Sequence, residues 1–163
     1  MTTDADEPST ATNSTAIVRH LDAPRSAVYR ALLDPRAIQT WMVPDGMTSE
    51  VHGFEARGGG AFRVSLTYDA ADGVGKTTAC TDSYHGHVVE LVPDERVVEA
   101  MEFETSDPAL RGLMTVTFTL ADAGAGTELQ AVHENLPPGI SPDDNRLGWS
   151  LSLDKLSRYL QSR

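Results

Sequence analysis

Six strand-like segments joined by short turns lead into one long, well-capped helix, and this order limits the possible folds more than any other feature. Strand signals fall near 50–56, 60–68, 82–91, 96–103, 113–120 and 127–134. The clearest is Met114, Val116, Phe118 and Leu120 alternating with Thr115, Thr117 and Thr119, a strand with one buried face. The separators are Arg57-Gly-Gly-Gly60, Asp69-Ala-Ala-Asp-Gly-Val-Gly75, Pro93-Asp-Glu95, Thr105-Ser-Asp-Pro108 and Asp122-Ala-Gly-Ala-Gly126. Links this short favour an antiparallel meander over parallel crossovers.

The terminal helix announces its start. Ser141 caps it, Pro142 takes the first position, and Asp143 and Asp144 sit at the positive end of its dipole. From Pro142 to Gln161 it spans about 30 Å, enough to cross a whole sheet. Trp149, Leu153, Leu156 and Leu160 form one apolar stripe along it.

Before the meander lie a short strand at 16–21 and two short helices. Pro24 opens the first helix, with Val28, Ala31 and Leu32 on its apolar face. Asp34-Pro35 caps the second, which places Ile38 and Trp41 together, and Pro44-Asp-Gly46 ends the helical section. The predicted fold is α+β: a curved antiparallel sheet of about seven strands wrapped around the long C-terminal helix. Residues 1–15 are polar and acidic and read as a disordered tail, leaving one domain over 16–163.

Composition narrows the partners. A net charge of −11 with scattered basic residues disfavours nucleic acid and anionic membranes. No apolar run reaches the roughly 20 residues of a membrane helix, and the N-terminus lacks an apolar secretory stretch. The single cysteine, Cys80, permits no internal disulfide and has no basic neighbour in sequence to activate it. A cytoplasmic location is expected.

Several pieces together resemble the helix-grip, START-like (SRPBCC) superfamily, in the branch named for the C-terminal domain of Aha-type activators of the heat-shock-protein-90 ATPase. They are Ala23-Pro24 with Val28-Tyr29-Arg30-Ala31-Leu32, Asp34-Pro35 with Trp41, Gly59-Gly60-Ala61-Phe62-Arg63, and Gly86-His-Val-Val-Glu-Leu-Val-Pro93-Asp-Glu-Arg96. Thr127-Glu-Leu-Gln-Ala-Val-His133-Glu134 and Gly148-Trp149 with Leu153, Leu156 and Leu160 complete the set, which covers 16–161 in the family's order. The resemblance implies a deep, mainly apolar cavity between sheet and helix. Its expected lining is Val28, Leu32, Trp41, Phe62, Met101, Phe103, Phe118, Leu129, Ala131, His133, Trp149, Leu153 and Leu156. Where many relatives carry tryptophan late in the fifth strand, this chain has Met101, a thinner side chain that would enlarge the pocket.

No catalytic signature stands out. His85 and His87 share a strand face, but without a second close ligand pair they read as solvated residues and no metal is expected. Glu99, Glu102 and Glu104 lie on or beside one strand. Glu102 and Glu104 face away from Met101 and Phe103, so parity argues against a carboxylate pair in the pocket. Arg57-Gly-Gly-Gly60 lacks the lysine and helix of a phosphate loop and fits a turn or bulge. His133 shares parity with Leu129 and Ala131 and is the one weak catalytic candidate, weighed against a structurally hydrogen-bonded histidine. The resemblance points to a binder of a small apolar molecule, such as a carrier, scavenger or sensor of a lipid-like, aromatic or polyketide-like compound, with no cofactor. A cyclase, dehydratase or lyase using the same pocket, and a co-chaperone-like interaction protein, remain the alternatives.

Overall fold

The computed structural model describes residues 13–69 and 81–162. Of the expected 1–15 tail, residues 1–12 lie outside the described residues, as do Cys80 and most of the 69–75 turn, while Thr15 opens the first strand. Seven strands form one antiparallel sheet: β1 (Thr15–Leu21), β2 (Met47–Phe54), β3 (Ala61–Tyr68), β4 (Thr81–Val92), β5 (Arg96–Phe103), β6 (Met114–Ala123) and β7 (Gly126–Glu134). Their order across the sheet is β1-β7-β6-β5-β4-β3-β2, so the first strand returns to pair with the last. Helices α1 (Arg25–Leu33) and α2 (Pro35–Trp41) follow β1, and α3 (Pro142–Gln161) closes the chain. This is the α+β helix-grip arrangement, with the sheet curled around α3.

The curl has local causes. Register shifts at Val51/Gly53 and Val88/Glu90 insert bulges that bend β2 and β4. Gly86 sits where a Cβ would overlap the Ala100 carbonyl oxygen, so glycine alone lets β4 and β5 approach that closely. β6 runs three residues beyond the expected end. Asp122 and Ala123 still pair with Thr127 and Gly126 through a hairpin whose Gly124 adopts φ +62°.

Caps set the helices as their sequences dictate. Asp34 ends α1 through its N–H to the Arg30 carbonyl and starts α2 by accepting from the Arg36 N–H at 3.0 Å. Ser141 accepts from the Asp144 N–H at 3.2 Å at the head of α3. Trp41 is fully buried and donates its Nε1–H to the Ala31 carbonyl at 2.9 Å, locking α2 onto α1.

One end of the interior is solid. Val28, Leu32, Trp41, Phe118, Leu129, Leu153 and Leu156 are buried there in a single cluster. Phe118 meets Trp41 and Trp149 edge-to-face, with ring centroids 6.4 Å and 5.6 Å apart. Outside, Arg19 of β1 pairs with Asp154 and donates to Ser150 at 3.0 Å, tying the edge strand to α3.

Candidate functional site

The opposite end is hollow. A cavity of about 510 Å³ lies between the first half of α3, the residues after α2 and the concave face of the sheet. Helix α3 projects Leu153, Leu156 and Leu160 into the core, and presents Leu147, Gly148, Trp149, Leu151 and the buried Ser152 to the cavity. A Cβ on Gly148 would touch nothing within 4 Å. Met42, Met101, Met114, Leu66, Phe103 and Trp149 belong to the apolar lining, together with Met47, Leu136, Ile140, Leu147 and Leu151. Lys155 holds the α2 end of the mouth, bonding the Val43 carbonyl at 2.7 Å and pairing with Asp45 at 3.3 Å. The 136–141 loop closes another side, tied down by Leu136 N–H to the Asn13 carbonyl and Gly139 N–H to that of Ala109.

Of the residues expected to line a pocket, Met101, Phe103, His133 and Trp149 are on the cavity wall. Val28, Leu32, Trp41, Phe62, Phe118, Leu129, Ala131, Leu153 and Leu156 lie instead in the packed cluster. The physical reason is that α1 and α2 pack against α3 and fill the space beneath its leucine-rich second half, while Phe62 is taken up by Phe54 and Tyr84 on the sheet.

His133 is buried and held at both ring nitrogens. Nδ1 accepts from Trp149 Nε1–H at 3.0 Å and faces the Asn145 amide at 3.2 Å. Because the indole can only donate, the proton sits on Nε2, which points at the Met114 sulfur 3.2 Å away. Asn145 is fixed in turn by the Thr15 hydroxyl at 2.6 Å. Burial pulls the imidazole down to about 4, so it is neutral at physiological pH. This network joins β1, β7 and α3 and leaves no ring nitrogen free to move a proton.

Glu99 is the residue sequence reasoning missed. It alternates with Val97, Met101 and Phe103 and so faces inward, where it is 2% exposed. Its Oε2 has no hydrogen-bond partner, and burial pushes the carboxyl up to about 8. The side chain is therefore a neutral acid on an apolar wall at pH 7. Asp82 of β4, also 2% exposed, lies on the same wall, as does Tyr84, which burial and then the nearby Glu99 charge push upward. Two buried carboxyls do line the cavity, Asp82 and Glu99, with the exposed Asp45 and Asp144 on the same lining.

Glu102 and Glu104 point outward as expected. Arg63 grips Glu104 through two bonds of 2.7 and 2.9 Å, and His85 adds a third at 3.1 Å. The Arg63 bond leads in drawing the carboxyl down to about 2. His85 and His87 are thus on the outer face, and among the described residues no three potential ligands gather for a metal. In the glycine turn, Gly60 is needed because a Cβ would overlap the Glu55 carbonyl. Among the described residues no helix is long and apolar enough to cross a membrane.

Sheet, grip helix and hollow end together define a START-like helix-grip protein. The chain belongs to the family of Activator of Hsp90 ATPase homolog 1-like proteins, whose model matches residues 22–161. It is similar to protein CV1439 from Chromobacterium violaceum, with 35% identity, a TM-score of 0.82 and coverage of 91% of this chain and 96% of that one. A Rhodobacter sphaeroides protein shares the fold at 19% identity and TM-score 0.76, with 93% of each chain covered. DynU16, from the dynemicin biosynthetic locus, shares it at 22% identity and TM-score 0.63, over 91% of this chain and 47% of that one. No curated protein matches the chain significantly.

Proposed function

We propose that the chain binds a small, mainly hydrophobic molecule in the cavity between α3 and the sheet, as a carrier, scavenger or sensor. The observation that carries this reading is the cavity itself. At about 510 Å³ it falls within the range of small-molecule sites, and methionine, aromatic and aliphatic side chains make its wall mainly apolar. Methionines at positions 42, 101 and 114 can re-pack around different shapes. A proton-transfer role for His133 finds no support, since its nitrogens are engaged. The family's description names an activator of the Hsp90 ATPase, but docking onto a chaperone requires no hollow interior.

Protein purified under native conditions should release a hydrophobic compound on denaturation, detectable by mass spectrometry. If the site is emptied during purification, neutral aromatic compounds should raise Tm in a concentration-dependent way. Protein that carries nothing and ignores such a library would refute the reading.

A further inference from the structure

We infer that the ligand carries a protonated amine, seated with its ammonium group against Glu99. This inference rests on the cavity being a ligand site and adds the chemistry of its occupant. The orphaned Glu99 Oε2 is the first ground, a buried acceptor facing a space that the protein itself does not fill. An ammonium N–H supplies the missing partner through a charge-assisted bond.

The second ground is the sign of the wall. Besides Glu99, its titratable groups are Asp82 and Tyr84 of β4, Tyr68 of β3, His133 of β7, Asp45 after α2 and Asp144 of α3. No lysine or arginine lines it among the described residues. A ligand carboxylate or phosphate would meet Asp82 and Glu99 and no basic side chain on the lining, Lys155 at the mouth being already engaged by Asp45 and the Val43 carbonyl. At the mouth Asp45 is paired with Lys155, and the exposed Asp144 draws a cation in. Inside, Trp149, Tyr84 and Phe103 offer aromatic surface to a cation.

Proton linkage gives this inference its test. Glu99 is protonated in the empty site because burial holds it up to about 8. An incoming ammonium stabilises the ionised form, so the carboxyl proton leaves to solvent on binding. His133, pulled down by burial, and Tyr84, pushed up by it, stay neutral through that window. Amine affinity should then rise by about tenfold per unit as pH climbs from about 6 toward 8.

The experiment is calorimetric titration with 1-naphthylmethylamine, 1-naphthylmethanol and 1-naphthoate, near neutral pH, in two buffers of different ionisation enthalpy. The amine should bind about tenfold more tightly than the alcohol, release close to one proton, and leave naphthoate the weakest. Glu99→Gln should abolish both the preference and the proton release. Should that variant misfold, the wild-type proton count decides alone. Alcohol binding as tight as amine binding, with no proton released, overturns the inference while leaving the cavity a ligand site. Failure of all three probes to bind overturns both.

Discussion

Replacing Phe118 by alanine is expected to destabilise the protein by about 4 kcal/mol, measured by urea denaturation. Phe118 is fully buried at the closed end of the interior. Its ring is the wedge between Trp41 and Trp149, contacting both edge-to-face. Truncation removes the apolar transfer term and both aromatic contacts, and leaves a void that neighbouring strands cannot close. That is a large part of the total stability of an ordinary domain, about 5–15 kcal/mol. Leu151→Ala provides the contrast. Leu151 is only partly buried, on the cavity wall. Its loss enlarges a space already present, and alanine suits a helix, so about 1 kcal/mol or less is expected. Equal costs at the two positions would mean that the interior is packed as tightly around Leu151 as around Phe118.

Glu99→Met is expected to stabilise the protein, and by more as pH rises. In the unfolded chain the carboxyl ionises near 4.5, whereas burial holds it protonated up to about 8 in the folded state. Below the lower value both states bind the proton and no penalty exists. Above it the unfolded state loses its proton first and gains relative stability, until the folded carboxyl also ionises. The stabilisation by Glu99→Met should therefore grow by about 3 kcal/mol between pH 5 and pH 8. Taking the difference between variant and wild type cancels the opposite trend from His133. That imidazole ionises near 6.5 when unfolded and near 4 when folded, so its burial weakens the fold as pH falls through this range. Denaturation curves at the two pH values check the result, and a pH-independent difference would show that Glu99 is ionised or solvated in the native protein.

Much of the architecture was legible in the chain because it is written in local terms. The alternation around Met114–Leu120, the Asp34-Pro35 double cap and Ser141 before Pro142 each specify an element without reference to the rest. The split between a solid and a hollow end was not legible. Whether Leu153 or Gly148 faces empty space depends on what the sheet places opposite each, and that is a long-range property of the sheet's curl and the seating of α1 and α2. Expected pocket residues such as Val28, Leu32 and Trp41 therefore belong to the core. Gly148 and Ser152 were the available hint, small residues in a helix whose later turns carry leucine.

Glu99 shows the opposite case, a signal present but outweighed. Its parity with Met101 and Phe103 was visible, yet a carboxylate on a strand ordinarily faces water. The neighbouring Glu102 and Glu104 do so, in ion pairs with His85 and Arg63. Only the inward alternation of Val97, Glu99, Met101 and Phe103, seen against a cavity, identifies the exception.

The hollow end is tested most directly by titrating 1-naphthylmethanol into the wild-type protein and a Met101→Trp variant. Met101 is buried on the cavity wall, and an indole there projects into the open space. Saturable binding to the wild type, weakened at least about tenfold in a variant that keeps its thermal transition, is the expected result. Undiminished binding to the folded variant would contradict it, because the ligand would then be bound somewhere other than this cavity.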